Sequence, residues 1–129
     1  MLITSIPQYI QGLTNAKVDL TNTNDTVLYT APSDSDFNAS VVSSLLVSND
    51  SGSADTITVT LISGSDTFSV YKLEEVGALS TKELLSKELI MQSGEVLKVQ
   101  AATGARLHVI ASIQELTKTR ITTSALANI

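Results

Sequence analysis

Thr56-Ile57-Thr58-Val59-Thr60-Leu61-Ile62 is the most regular stretch of the chain. Ile57, Val59 and Leu61 alternate with three threonines, the period-2 pattern of a strand with one apolar and one polar face. β-Branched side chains lose rotamer freedom in a helix and suit a pleated surface. Polar turn clusters bound the stretch: Asn49-Asp50-Ser51-Gly52-Ser53-Ala54-Asp55 before it and Ser63-Gly64-Ser65-Asp66 after it.

The same grammar repeats on both sides. Upstream, Ala16–Leu20 and Thr26–Ala31 read as strands, the second closed by Pro32. The polar stretch SDSDFNAS (33–40) reads as a loop, because Ser, Asp and Asn bond their local backbone. Val41–Ser48 is apolar on both faces, as a central strand requires. Downstream, Thr67–Leu73 sets Phe68 and Val70 against Ser69 and Tyr71. Val96–Ala101 points Leu97, Val99 and Ala101 inward, with Lys98 and Gln100 outward. Arg106–Gln114 places Leu107, Val109, Ala111 and Ile113 on its inner face. From Gly52 onward, glycines recur at 64, 77, 94 and 104, each in a polar cluster. Short strands joined by tight turns predict an all-β antiparallel sandwich of jelly-roll-like character.

Gly77–Met91 admits two readings. Ser80-Thr81-Lys82-Glu83 has the form of a capping box ahead of Leu84 and Leu85, which argues for a helix. The alternative is two short strands with a turn at Ser86-Lys87. At the ends, residues 1–15 and 115–129 show no clear period and read as arms around a 16–114 sandwich domain.

The 129 residues fit one domain, and 43% apolar content supports a buried core. Net charge is −5 with only 16% charged residues, which disfavours nucleic acid, since phosphate contacts need clustered Lys and Arg. The absence of cysteine excludes disulfides, thiolate metal sites and thiol catalysis. No apolar run reaches the ~18–20 residues of a membrane helix, so no membrane partner is expected. MLITSIPQYI carries no positive side chain and has Pro7, which does not fit a signal peptide.

Few residues offer chemistry. His108 is the single histidine, flanked by Leu107 and Val109 on an expected strand and facing away from the core. A catalytic role needs a serine against it and a carboxylate behind; no G-x-S-x-G occurs, and a surface role is the simpler reading. Asp34, Asp36, Asn49, Asp50 and Asp55 have oxygens suited to calcium, but these residue types abound in turns for backbone reasons. Glu74, Glu75 and Glu83 could be paired acids, yet aromatics are only 4% and tryptophan is absent, so a sugar groove lacks ring platforms. Lys82, Lys87, Lys98, Lys118 and Arg120 are scattered. The expectation is no enzyme, no metal and no cofactor.

Ile3, Ile6, Tyr9 and Ile10 in one arm, and Ile121, Leu126 and Ile129 in the other, predict cover by neighbouring subunits. Val42, Leu46 and Ile110, assigned to outward faces, join them as candidate interface residues.

One block has a resemblance. Val27-Leu28-Tyr29-Thr30-Ala31-Pro32, then Val41-Val42-Ser43-Ser44-Leu45-Leu46-Val47-Ser48-Asn49, then a Ser/Gly/Ala turn into Thr56-Ile57-Thr58-Val59, and later Leu79–Leu85 (LSTKELL), resembles small structural proteins of tailed bacteriophage virions. Glu88-Leu89-Ile90-Met91, Gly94-Glu95-Val96-Leu97-Lys98-Val99 and Val109-Ile110-Ala111-Ser112-Ile113 continue the likeness, which spans residues 26–114. The loop SDSDFNAS is longer than in such proteins, and Glu95 stands where Asp is common.

The resemblance implies a β-sandwich subunit without an active site, assembled in the bacterial cytoplasm into a virion. Its expected role is capsid decoration or cement as a homo-oligomer, with the major capsid protein or tail and neck proteins as partners. A tail, collar or baseplate subunit is the alternative, and a carbohydrate- or receptor-binding module a weaker one.

Overall fold

The computed structural model describes residues 9–118. These form nine strands: β1 (Tyr9–Leu20), β2 (Thr26–Thr30), β3 (Phe37–Asn49), β4 (Asp55–Ser63), β5 (Asp66–Val76), β6 (Ser80–Glu83), β7 (Leu89–Met91), β8 (Val96–Ala101) and β9 (Leu107–Thr117). No helix occurs among the described residues. The capping-box sequence is strand β6, and the chain bends at Ser86-Lys87 before β7.

The strands make two antiparallel sheets. One runs β1-β9-β3-β6, with β7 also paired to β3; the other runs β2-β8-β4-β5. β6 pairs with Leu46–Asn49 and β7 with Ser40–Val42, so they lie end to end along one side of β3. Taken as one interrupted strand, they complete the jelly-roll order. Both sheets bury one face, and the core between them contains Leu20, Leu45, Val47, Ile57, Val59, Leu97, Val99, Leu107 and Val109. Each fully buried Leu or Ile contributes about 1.5–3 kcal/mol of transfer free energy. Alternation along β4, β8 and β9 follows the sequence reading residue by residue.

Four strand readings need correction. β1 begins at Tyr9, so residues 9–15 of the expected arm are sheet. They are held by the ladder to β9, not by an amphipathic period, and a register shift between Ile10 and Gly12 obscures what alternation there is. β9 likewise continues to Thr117, which pairs with both Tyr9 and Phe37. β3 starts inside the polar stretch: Phe37 and Ser40 are buried there. On β5, Tyr71 stands opposite buried Val59 and packs against the core, as does Val70, whereas Phe68, opposite Leu61 near the hairpin, is exposed. A register irregularity leaves Val70 unpaired and breaks the simple alternation.

Tight turns close the ends. Gly64 adopts a positive φ of 61° between β4 and β5, which costs a residue without Cβ nothing. Gly104 lies against the β1–β2 turn; a Cβ there would come within 2.8 Å of the Thr21 carbonyl oxygen.

Candidate functional surface

The outer face of the five-stranded sheet brings together His108, Leu46 and Ile110. β9 has Leu107 and Val109 turned into the core, which forces His108 outward between Asp19 of β1 and Ser48 of β3. Imidazole Nδ1 lies 3.4 Å from Asp19 Oδ1, and Nε2 lies 3.1 Å from Asp50 Oδ2. The ring is thus spanned by carboxylates at both nitrogens. Among the described residues, neither nitrogen is hydrogen-bonded to a serine hydroxyl, and no nucleophile–base pair of the Ser-His-Asp kind is assembled. The two carboxylates address opposite nitrogens, so the three side chains do not converge on one point. No group of three His, Asp or Glu side chains suited to a metal occurs among the described residues.

Asn49 and Asp55 are committed mainly to backbone groups of their turns. Asn49 is buried; its amide donates to the Ser53 and Val76 carbonyls, and its oxygen accepts from the Ser51 amide and hydroxyl. Asp55 accepts from the amides of Thr56 and Thr103. Asp34 and Asp36 are exposed. Glu74 pairs with Lys82 between neighbouring strands, and Lys98 lies 3.4 Å from Asp25.

Glu83 has a role the sequence reading missed. β6 ends where β3 lacks a strand partner, between Ser43 and Leu45. The Glu83 carboxylate fills that break: it accepts from the Ser44 hydroxyl, the Leu45 amide at 2.7 Å and the Leu85 amide. Desolvation pushes its pKa up, but these three donors together outweigh it and hold the carboxyl below its ordinary value. The Leu45 carbonyl meanwhile accepts from the Leu84 amide. Serine three residues before a glutamate signals a helix cap in isolation; here the same acid caps an interrupted strand.

Two tyrosines tie the sheets together. Tyr29 of β2 hydrogen-bonds Ser40 of β3 at 2.7 Å and donates to Glu115 of β9. Burial first, and the Glu115 carboxylate second, push its pKa well above the ordinary phenol value. Tyr71 of β5 donates to the Leu84 carbonyl.

The candidate interface residues separate. Leu46 and Ile110 are cross-strand neighbours on the outer face and are 36% and 43% exposed. Leu13 of β1 and Ile90 of β7 are also exposed. Val42 is corrected: it is fully buried. Its register shifts between Val42 and Ser44, and this bulge moves the inward positions of β3 from Leu45 and Val47 to Val42 and Ser40. Tyr9 and Ile10 lie in β1; Ile3, Ile6, Ile121, Leu126 and Ile129 lie outside the described residues. A shallow depression of about 260 Å³ lies beside His108 and Ile110, lined also by Lys17 and Asp19. No family model matches the chain, and no curated protein or solved structure matches it either.

Proposed function

We propose that this chain is a non-enzymatic structural subunit of a tailed-phage particle, which decorates or cements the capsid as a homo-oligomer. The observation that carries the reading is the outer face of the five-stranded sheet, where Leu13, Leu46, Ile90 and Ile110 remain exposed on rigid strands. Fold alone does not assign function; the reading also draws on the likeness of residues 26–114 to small virion proteins. The polar side chains of the turns are spent on holding backbone, which suits a part whose work is shape. Symmetric copies would cover the exposed apolar side chains against one another and against the major capsid protein, at about 25 cal/mol per Å² of apolar area. Many tethered copies rebind at high effective concentration, so modest individual contacts suffice to hold a lattice.

The test is made on the particle assembled from the genome that carries this gene. Mass spectrometry of purified virions should find the chain in many copies, and a density map should place the sandwich on the outside of the shell. Its absence from the particle overturns the reading; density at the neck or baseplate would move it to the tail.

A further inference from the structure

The two sheets present four edge strands, and three of them are blunted. β2 is five residues long and carries a register shift between Val27 and Tyr29. β5 has two irregularities against β4, a positive φ at Leu73, and Lys72, Glu74 and Glu75 along its length. The β6/β7 edge is broken into pieces of four and three residues, separated by the segment that Glu83 caps. These are the devices by which sheets avoid pairing with another chain. β1 is different. It has 12 residues, pairs with β9 without a register shift from Gly12 to Leu20, contains no proline, and carries only Lys17 and Asp19 as charges.

Among the described residues, no strand pairs with the free side of β1, and the Asn15 carbonyl there accepts only from the neighbouring Thr14 hydroxyl. The Leu20 carbonyl accepts from Ala105, on the β9 side. With the alternation of an antiparallel ladder, the amides and carbonyls of Leu13, Asn15 and Lys17 point away from β9. The side chains there match: Leu13 is 74% exposed, and Asn15 and Lys17 are exposed.

We propose that β1 is the self-association edge, and that its partner is β1 of a second copy, paired antiparallel about a two-fold axis. This would join the two five-stranded sheets into one continuous ten-stranded sheet (5 + 5 from the sheet composition). The blunting of the other three edges leaves β1 of a second copy as the matching edge, and the charges favour the antiparallel direction. A parallel, in-register pair would set Lys17 beside Lys17 and Asp19 beside Asp19, and reversing one copy about a centre near Asn15 removes both clashes. An isologous antiparallel contact also closes at two copies instead of growing into a fibre. The proposal deepens the homo-oligomer reading above and rests on it for the identity of the partner.

The measurement is sedimentation mass of the full-length chain at tens of micromolar. The wild type should sediment at twice the 13.6 kDa chain mass. Asn15→Pro removes an outward-pointing amide without touching the ladder to β9 and should give the chain mass, with the β circular-dichroism signal retained. Leu13→Lys, a charge on the same edge, serves if the proline variant fails to fold and should likewise give a monomer. Ser69→Lys on the blunted β5 edge should leave the dimer intact. Because the chain has no cysteine, Asn15→Cys gives a single thiol, and a short bifunctional thiol reagent should link two copies through it. A monomeric wild type, or a dimer indifferent to both β1 variants, overturns the proposal. A monomer that is still found in virions overturns the edge pairing and leaves the particle reading standing; a β1-dependent dimer absent from virions does the reverse.

Discussion

The two flanks of the sandwich are each fastened by a tyrosine, but in different ways. At the β1/β2 flank, Tyr29 reaches from the four-stranded sheet to a serine and a carboxylate on two different strands, and β1 runs beside β9 there without a register shift from Gly12 to Leu20. At the β5/β6 flank, Tyr71 reaches a single backbone carbonyl, next to a break that Glu83 must also cap. The regular flank needs little repair and leaves a bare edge. The irregular one spends three side chains, Tyr71, Glu83 and Lys82, on holding short pieces in place, and presents no edge worth pairing with. Irregularity thus protects one flank, and regularity exposes the other.

The strongest way to break this comparison is at the point where the irregular flank meets the core. Leu45→Ala empties a fully buried position whose amide and carbonyl hold Glu83 and Leu84. A loss of about 2–5 kcal/mol in urea unfolding is expected. Tyr29→Phe comes next, at about 1–3 kcal/mol, because it leaves the buried Ser40 hydroxyl without its acceptor and the Glu115 carboxylate short of a donor. It also sharpens the contrast with pH. The Tyr29 pKa is raised, so its contribution is present below the ordinary tyrosine value of about 10 and is lost as pH rises beyond it. The wild-type advantage over Tyr29→Phe should therefore shrink in alkaline urea titrations. Tyr71→Phe loses one neutral hydrogen bond and should cost about 0.5–1.5 kcal/mol. Glu83→Gln should cost least, about 0.5–1 kcal/mol, since the carboxylate is exposed and screened by water. Its folded pKa is depressed, so its contribution is present above the ordinary glutamate value of about 4.3 and disappears as pH falls through the folded value. The stability gap between wild type and this variant should close in acid; a gap constant down to pH 3 would show that Glu83 does not act as a charged cap.

Much of the architecture was legible because it depends on local alternation. β4, β8 and the inner face of β9 follow from Val, Ile, Leu and Thr at period 2, whereas β6 and β7 are only one of the two readings that Gly77–Met91 admits, because its local signals conflict. What escaped was set by pairing with distant strands. Val42 read as outward because a count of two from Leu46 puts it there; only the β3–β9 register reveals the bulge that turns it in. Tyr9–Asn15 lacks an amphipathic pattern, yet β9 recruits it. The side chains that matter most on the surface were visible only in part. Leu46 and Ile110 stood out by composition, whereas Leu13 and Ile90 did not. Glu83 and the Tyr29–Ser40–Glu115 cluster join residues up to 86 positions apart, and no local pattern marks such a pair.

The pairing of Tyr9 with Thr117 brings the start of the first strand beside the end of the last. Such a molecule can be rewired. A short linker joining the chain across that pair, with new ends cut at the Gly64 hairpin, should yield a circular permutant that keeps every strand neighbour but moves its points of attachment from the β1/β9 side to the β4–β5 hairpin, where cargo could be fused at will.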